Sequence, residues 1–529
     1  MKPFQRRELL QAISGGLAGA LSPALEGKDK AAPPRQDRPN ILVIMSDQHR
    51  AGLTRRSGFP LDTMPALDRL AGRGVAFDRA YTTAPLCVPA RISMLTGRWP
   101  HAHRVRQNSA PRFAYFEKDL FDVAREQGYK VALTGKNHSH LTPAKADFWR
   151  PYMHTDGWLP DPAPKEFVAY NDWIKHLNPG MSPKPTPFPV EAQFPHRIVS
   201  NAIEFLQGVG TQPFALWVSF PEPHNPYQVP KPYFDMFPPD ALPPRTVGPE
   251  VLKSKGFKWE FLRQLQESTF PGYDQNWRRT RSNYLGMLRL INDQVDRLLK
   301  HLESSGKLDN TIVVYLADHG DFFCDYGLMR KGVELPEALT RIPMIWAGWG
   351  IRPQSKLPDF VSIADVLPTL CDAIGAPVPH GAQGRSLWPM LQGREYPREE
   401  FESLYSEVGF GGLNYEAGDR IDPKWGRSLR FGTMPACDEL NPVTQSGNMK
   451  MVRRGDWKLI FDMMGNGQLY NLGEDPYELK NLFGQPQAAA TQNRLMADLL
   501  RWTVRTQDDL PLAAYQAKWA ERNWYAKYK

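Results

Sequence analysis

The chain has 529 residues, which at ~150 residues per domain allows two to four domains and a sizeable buried core. Hydrophobic residues at 41 % and charged residues at 23 % match ordinary soluble composition and exclude wholesale disorder or a membrane-spanning bundle. The net charge of +8, from 65 Lys+Arg against 57 Asp+Glu, comes without an unbroken basic tract, so no nucleic-acid partner is expected, while anionic substrates are favoured. Four cysteines are too few for a disulfide scaffold. The 49 prolines, nearly twice the usual share of ~5 %, cluster between apolar runs and predict long structured loops of the kind that build substrate sites.

At the N-terminus, Arg6-Arg7 precedes Glu8-Leu9-Leu10 and a weakly apolar stretch rich in Gly, Ala and Ser up to Leu25. This pattern reads as a twin-arginine export signal over residues 1–26, with 27–38 as a linker, and predicts a periplasmic or secreted protein. The stretch is too short and too poor in large side chains for a spanning helix, which needs ~20 apolar residues, so stable membrane insertion is not expected.

Continuous apolar runs at Ile41 to Met45, Val131 to Leu133, Phe214 to Phe220 and Thr311 to Leu316 predict strands buried on both faces, as in a parallel sheet covered by helices. Leu285, Leu288, Ile291, Val295, Leu298, Leu299 and Leu302 recur at helical spacing with charges between them. Strand and helix alternate, so the main domain, 39–395, is α/β. From Tyr405 onward shorter alternating stretches, such as Trp457 to Phe461 and Gln468 to Tyr470, predict a C-terminal subdomain over 396–529. It would consist of a small antiparallel sheet and a closing helix near Ala489 to Val504.

Cys87-Val88-Pro89-Ala90-Arg91, running on to Thr96-Gly97-Arg98, places Pro89 in the first turn of a helix and Gly97 at its end. Cys87 would then sit where backbone N–H groups favour an anion. Asp47-Gln48 and Asp318-His319-Gly320 each follow a predicted strand, where open α/β sheets bind ligands. Two carboxylates, an amide oxygen and an imidazole can enclose one divalent cation; the oxygen majority favours Ca²⁺ or Mg²⁺, and the imidazole admits Mn²⁺. Lys136 and His138, His224 in a Pro-rich segment, and Lys331 before Gly332 follow the same strand-end rule, whereas His101, His103 and His140 read as structural.

The twelve residues Cys87 to Arg98 resemble the signature of the sulfatase family, Cys-x-Pro-x-Arg followed by Thr-Gly-Arg. Gly135-Lys136-Asn137-His138, Pro223-His224-Asn225-Pro226, Lys331-Gly332 and the C-terminal Trp457-Lys458-Leu459 resemble further family segments. The resemblance implies an alkaline-phosphatase-like fold, a large, mixed but mostly parallel sheet between helices. It also implies a sulfuric ester hydrolase whose Cys87 is oxidised to formylglycine by a maturation enzyme, and one Ca²⁺ at Asp47, Gln48, Asp318, His319 and the modified residue 87. The Asp-Gln and Asp-His pairs depart from the Asp-Asp and Asp-Asn of many members, which leaves Mn²⁺ open.

By the same resemblance, the hydrated aldehyde attacks sulfur while the cation, Lys136 and Lys331 stabilise its oxygens. Asp318 accepts the attacking hydroxyl's proton, His224 or Lys331 protonates the leaving alkoxide, His138 deprotonates the second hydroxyl, and Arg91 holds the diol. A phosphonate or phosphodiester hydrolase of the same superfamily is the nearest alternative, and a silent glycan-binding homologue is a second. Trp277, Arg278, Arg279 and Arg281, placed just before a helix, join Arg104 and Arg106 in an expected basic, aromatic pocket for a sulfated sugar. Cys324, close to the second metal pair, is the expected unpaired reactive thiol.

Overall fold

The computed structural model describes residues 38–108, 111–115, 117–177, 180–354, 357–409, 417–418 and 447–508. The expected export signal and most of the expected linker lie outside the described residues, as does Cys437. Among the described residues, no helix is long and apolar enough to cross a membrane.

In chain order the strands are β1 (Asn40–Asp47), β2 (Gly74–Ala76), β3 (Ala80–Tyr81), β4 (Lys130–Lys136), β5 (Phe148–Tyr152), β6 (Phe214–Pro223), β7 (Thr311–Ala317), β8 (Met344–Gly348), β9 (Val361–Ser362), β10 (Ser403–Val408), β11 (Met449–Arg454), β12 (Trp457–Asp462) and β13 (Gly467–Asn471). Seven form one sheet in the order β2-β8-β7-β1-β6-β4-β5. The run β7-β1-β6-β4-β5 is parallel, and β8 and β2 close one edge antiparallel. The four apolar runs of the sequence are the four central parallel strands, and their C-terminal ends therefore share one edge.

Each central strand is buried on both sides because successive residues face opposite layers. Leu42 and Ile44 join one apolar cluster with the helices Phe194–Gly208 and Trp277–Ser304, while Ile41, Val43 and Met45 join another with Cys87–Thr96, Leu120–Glu126 and Val366–Ile374. At ~25 cal/mol per Å² of apolar surface, such two-sided burial is the main force holding the layers together.

The second sheet, β10-β11-β12-β13, is antiparallel. One face takes Leu495, Leu499 and Trp502 of the helix Ala489–Thr506; the other packs Val408, Met451 and Ile460 against Tyr81, Leu86 and Phe360. This sheet props the segment leading into Cys87, because Ser406 Oγ donates to the Thr82 carbonyl at 2.5 Å and Glu407 N–H to that of Thr83 at 2.8 Å. A buried ion network adds to the joint: Glu337 accepts from Arg453 at 3.0 Å and from Lys458 at 3.2 Å, and Lys458 also meets Glu478 at 2.7 Å.

Candidate active site

Cys87 opens the helix Cys87–Thr96, which Gly97 ends in a left-handed conformation, φ 66°. The residue is 1 % exposed, and its thiol lies 3.3 Å from His319 Nε2 and 3.7 Å from Asp47 Oδ1. Asp47 ends β1, and Asp318 and His319 follow β7, its direct neighbour in the sheet. Ligand atoms of Asp47, Cys87, Asp318 and His319 all lie within 4.8 Å of one another.

Arg91, one turn after Cys87 and fully buried, ties the two carboxylates together. Its Nε donates to Asp318 Oδ2 at 2.8 Å and one terminal nitrogen to Asp47 Oδ2 at 3.0 Å, while the other terminal nitrogen binds the Lys136 carbonyl and Ser219 Oγ, both at 2.8 Å. The Oδ1 atoms are left 3.9 Å (Asp47) and 3.8 Å (Asp318) from His319 Nε2. His319 Nδ1–H donates to the Gly320 carbonyl at 2.9 Å, the usual second partner of a metal-ligating histidine, and this turns Nε2 toward the cluster. Ligand atoms 3.3 to 3.9 Å from their neighbours, and none more than 4.8 Å apart, can share a single ion. The residues present fit one divalent cation.

Two lysines reach the site. Lys136, the last residue of β4, donates to Asp47 Oδ2 and to His154 Nε2, the latter at 2.9 Å. Lys331 donates to Gln48 Oε1 at 3.1 Å and to His224 Nε2 at 3.3 Å. His224 Nδ1–H is fixed on the Asn225 carbonyl at 2.8 Å, and its ring stacks on His154, centroids 3.7 Å apart. His138 meets His154 edge-on at 6.1 Å. Burial opposes ionisation of Asp47, but Lys136 and Arg91 outweigh it and hold the carboxyl well below its ordinary range. Burial and the Asp47 charge push the Cys87 thiol up, yet Lys136, Lys331 and His319 bring it down to about 7. Burial, with the charges of His224 and Lys136, lowers His154 well below the ordinary imidazole value, which keeps it an acceptor for Lys136. Glu222, at the end of β6, is pushed up to about 8 by burial.

The structure thus brings together Asp47, Gln48, Cys87, Arg91, Lys136, His138, His224, Asp318, His319 and Lys331. Sequence reasoning missed His154, which follows β5; Asn108, whose Nδ2 lies 3.9 Å from Cys87 Sγ; Ser219; and Asp321 with Tyr227. A strand assignment at β5 would have found His154 by the strand-end rule that found the others.

Three expectations need correction. The helix begins at Trp277 itself, so Arg278, Arg279 and Arg281 lie in its first turns, where loop carbonyls and Asp325 take up their charge. Arg279 donates to the Phe234 carbonyl at 3.2 Å and Ser282 Oγ at 3.1 Å, Arg278 to the Pro239 carbonyl, and Arg281 to the Phe323 carbonyl and Asp325. Trp277 packs on the core with Arg245, Arg278 and Arg281 over its ring, so the Trp277 ring and the Arg279 guanidinium are both engaged within the fold. Finally, Cys324 is a buried thiol that its apolar surroundings push far up, the opposite of a reactive cysteine. Arg104 caps the short helix Pro100–His103 in a left-handed conformation, φ 68°, and both it and Arg106 are half-buried. His101, His103 and His140 bind Glu407, Ser93 and Asp119 respectively.

The sulfatase family model matches residues 39–376. The chain belongs to the sulfatase family. It is thereby a sulfatase-family hydrolase of the alkaline phosphatase superfamily. Among curated relatives, this sulfatase-family chain is 26 % identical to a choline-sulfatase of Rhizobium meliloti, over 87 % of its own length and 85 % of the relative's. It is 28 % identical to a Delta 4,5-hexuronate-2-O-sulfatase of Bacteroides thetaiotaomicron, over 90 % and 92 %. Among solved structures, a phosphonate monoester hydrolase from Silicibacter pomeroyi shares its fold with a TM-score of 0.73 at 21 % identity, over 89 % of this chain and 96 % of that one.

Proposed function

We propose that this sulfatase-family enzyme hydrolyses sulfate esters of carbohydrates, using a formylglycine made from Cys87 and one divalent cation held by Asp47, Gln48, Asp318 and His319, after twin-arginine export. The observation that carries the reading is the convergence on one buried point of a helix-N-terminal cysteine, its three ligand-type neighbours Asp47, Asp318 and His319 within 4.8 Å, and the cations Arg91, Lys136 and Lys331. When present, the aldehyde supplies the nucleophilic oxygen and the cation a Lewis-acidic charge.

The protein's own side chains do the rest. Arg91 fixes both carboxylates at the spacing that a single ion requires. Lys136 and Lys331 both bring positive charge to Cys87, where a sulfuryl group would spread its charge over its oxygens. His224 offers Nε2 to Lys331, because its Nδ1–H is committed to a backbone carbonyl, so His224 holds the Lys331 ammonium in place and Lys331 gives the proton to the departing oxygen. Asp318 and His138 are the proton acceptors.

The hexuronate sulfatase among the relatives supports a sugar substrate, and so do Arg104 and Arg106, the latter two residues before Asn108, which touches Cys87. The test is kcat/KM on sulfated mono- and oligosaccharides beside a simple aryl sulfate and a phosphonate monoester, with Arg104→Ala and Arg106→Ala as probes. The sugar reading predicts a preferred sulfated sugar and a loss of its turnover in the variants; an aryl ester hydrolysed at least as well as every sugar removes it. The likeness to a phosphonate monoester hydrolase favours a second reading, hydrolysis of phosphonate or phosphate esters, which a higher kcat/KM on the phosphonate would establish.

A further inference from the structure

Gln48 differs from the carboxylate donors of this site in having two unlike ends. Either oxygen of a carboxylate can face an ion, but an amide can do so only through Oε1, since Nε2 carries two N–H groups. The backbone of Gln48 is already pinned. Its φ is 65°, its N–H donates to Asp318 Oδ1 at 3.0 Å, and its carbonyl accepts from Tyr284 at 2.7 Å. What remains to be set is the sense of the amide.

Two partners of opposite chemistry meet it. Asp321 Oδ2 accepts from Gln48 Nε2 at 2.5 Å, and Lys331 Nζ donates to Oε1 at 3.1 Å. Asp321 is itself held by further donors, because Tyr227 donates to Oδ2 at 3.0 Å and the Phe323 N–H to Oδ1 at 2.5 Å. Gln48, Asp321, Tyr227 and Lys331 are all buried, so little water competes. A flipped amide would set its oxygen against the Asp321 carboxylate and its N–H groups against the Lys331 ammonium.

We propose that Asp321, held by Tyr227, is the positioning residue that fixes the sense of the Gln48 amide and so sets the affinity of the site for its divalent cation. The proposal rests on the reading of Gln48 as a cation donor, and its test reads binding rather than turnover. In Asp321→Asn the Phe323 N–H, which can only donate, would keep the new amide's oxygen at the Oδ1 place, so the N–H₂ would take the Oδ2 place that faces Gln48 and Tyr227, reversing the Gln48 amide while the Tyr227 hydroxyl turns to accept. Gln48→Glu puts an oxygen at each end of the side chain, which suits the Asp321→Asn background and opposes the parental carboxylate.

Titration calorimetry of Ca²⁺ and of Mn²⁺ into the chelator-stripped full chain tests this. Asp321→Asn is expected to bind ~10–100-fold more weakly, the usual cost of losing an outer partner. The double variant Asp321→Asn with Gln48→Glu is expected to recover most of that loss. Tyr227→Phe keeps the ring, removes only the hydroxyl and is expected to weaken binding severalfold, which provides a second probe if Asp321→Asn is too unstable to titrate. Parent-level affinity in Asp321→Asn or Tyr227→Phe overturns the proposal, as does a double variant no tighter than Asp321→Asn alone. If the parent binds neither ion, the cation-site reading falls with it, whereas a binding parent with indifferent variants refutes only the positioning role.

Discussion

Replacing Arg91 with methionine keeps the chain length roughly constant and deletes the fork that joins Asp47 to Asp318. Four hydrogen bonds go, two of them to carboxylates. Hydrogen bonds to charged groups are worth ~1.5–3 kcal/mol each, so the two carboxylate bonds put the loss at about 3–6 kcal/mol. Breaking a buried ion pair from one side costs a similar ~3–5 kcal/mol. Lys136 still holds Asp47, but among the described residues Asp318 keeps as hydrogen-bond donors to its carboxylate the N–H groups of Gln48 and His319, so the uncompensated charge is concentrated there. Against a total stability of ~5–15 kcal/mol, the urea midpoint should fall markedly in metal-free buffer, as followed by tryptophan fluorescence. Added Ca²⁺ should return part of the difference, because the ion takes over the neutralisation of both carboxylates. A methionine variant within ~1 kcal/mol of the parent without metal would refute the bridging argument, since a buried carboxylate cannot lose its cation that cheaply.

Chelation is expected to abolish ester hydrolysis and Ca²⁺ or Mn²⁺ to restore it, with Asp318→Asn failing to recover; full activity in metal-free protein contradicts the cation's role. Burial alone would raise the Glu337 carboxyl, but Arg453 and Lys458 outweigh it and hold it at about 2, against ~4.3 when unfolded. Its contribution to stability is therefore fully present above about pH 4.3 and is lost as pH falls from there to about 2. Glu337→Gln should be less stable than the parent at pH 7, and the gap should close on acidification. A gap that stays constant down to pH 3 would show that the network does not tie the C-terminal sheet to the core.

The central sheet was legible in the sequence because β1, β4, β6 and β7 are buried on both faces, which writes continuous apolarity into each. Once those strands were placed, their C-terminal ends gave Asp47, Lys136, His224 and Asp318 as one edge. β5 escaped because Phe148-Trp149-Arg150-Pro151-Tyr152 reads as a loop: its proline is tolerated at the sheet edge, where one side needs no ladder partner. His154 was lost with it. Asp321 and Tyr227 had no local pattern at all, since their role is a contact between the ends of two strands, β7 and β6, that only folding joins. The arginines after Trp277 were misplaced for a related reason. Positive charge at a helix start is unfavourable by the macrodipole, and the partners that reverse this, Asp325 and the carbonyls of Phe234, Pro239 and Phe323, are remote in sequence.

The proposed chemistry depends above all on what occupies position 87. The direct measurement is the specific activity toward an aryl sulfate plotted against the fraction of the Cys87 peptide that carries an aldehyde by mass spectrometry. The preparations would be made with graded amounts of a formylglycine-generating enzyme and with one divalent cation in excess. The account predicts a straight line through the origin. Sulfate release by protein whose Cys87 remains a thiol, or full conversion to the aldehyde without any hydrolysis of the ester, would contradict it.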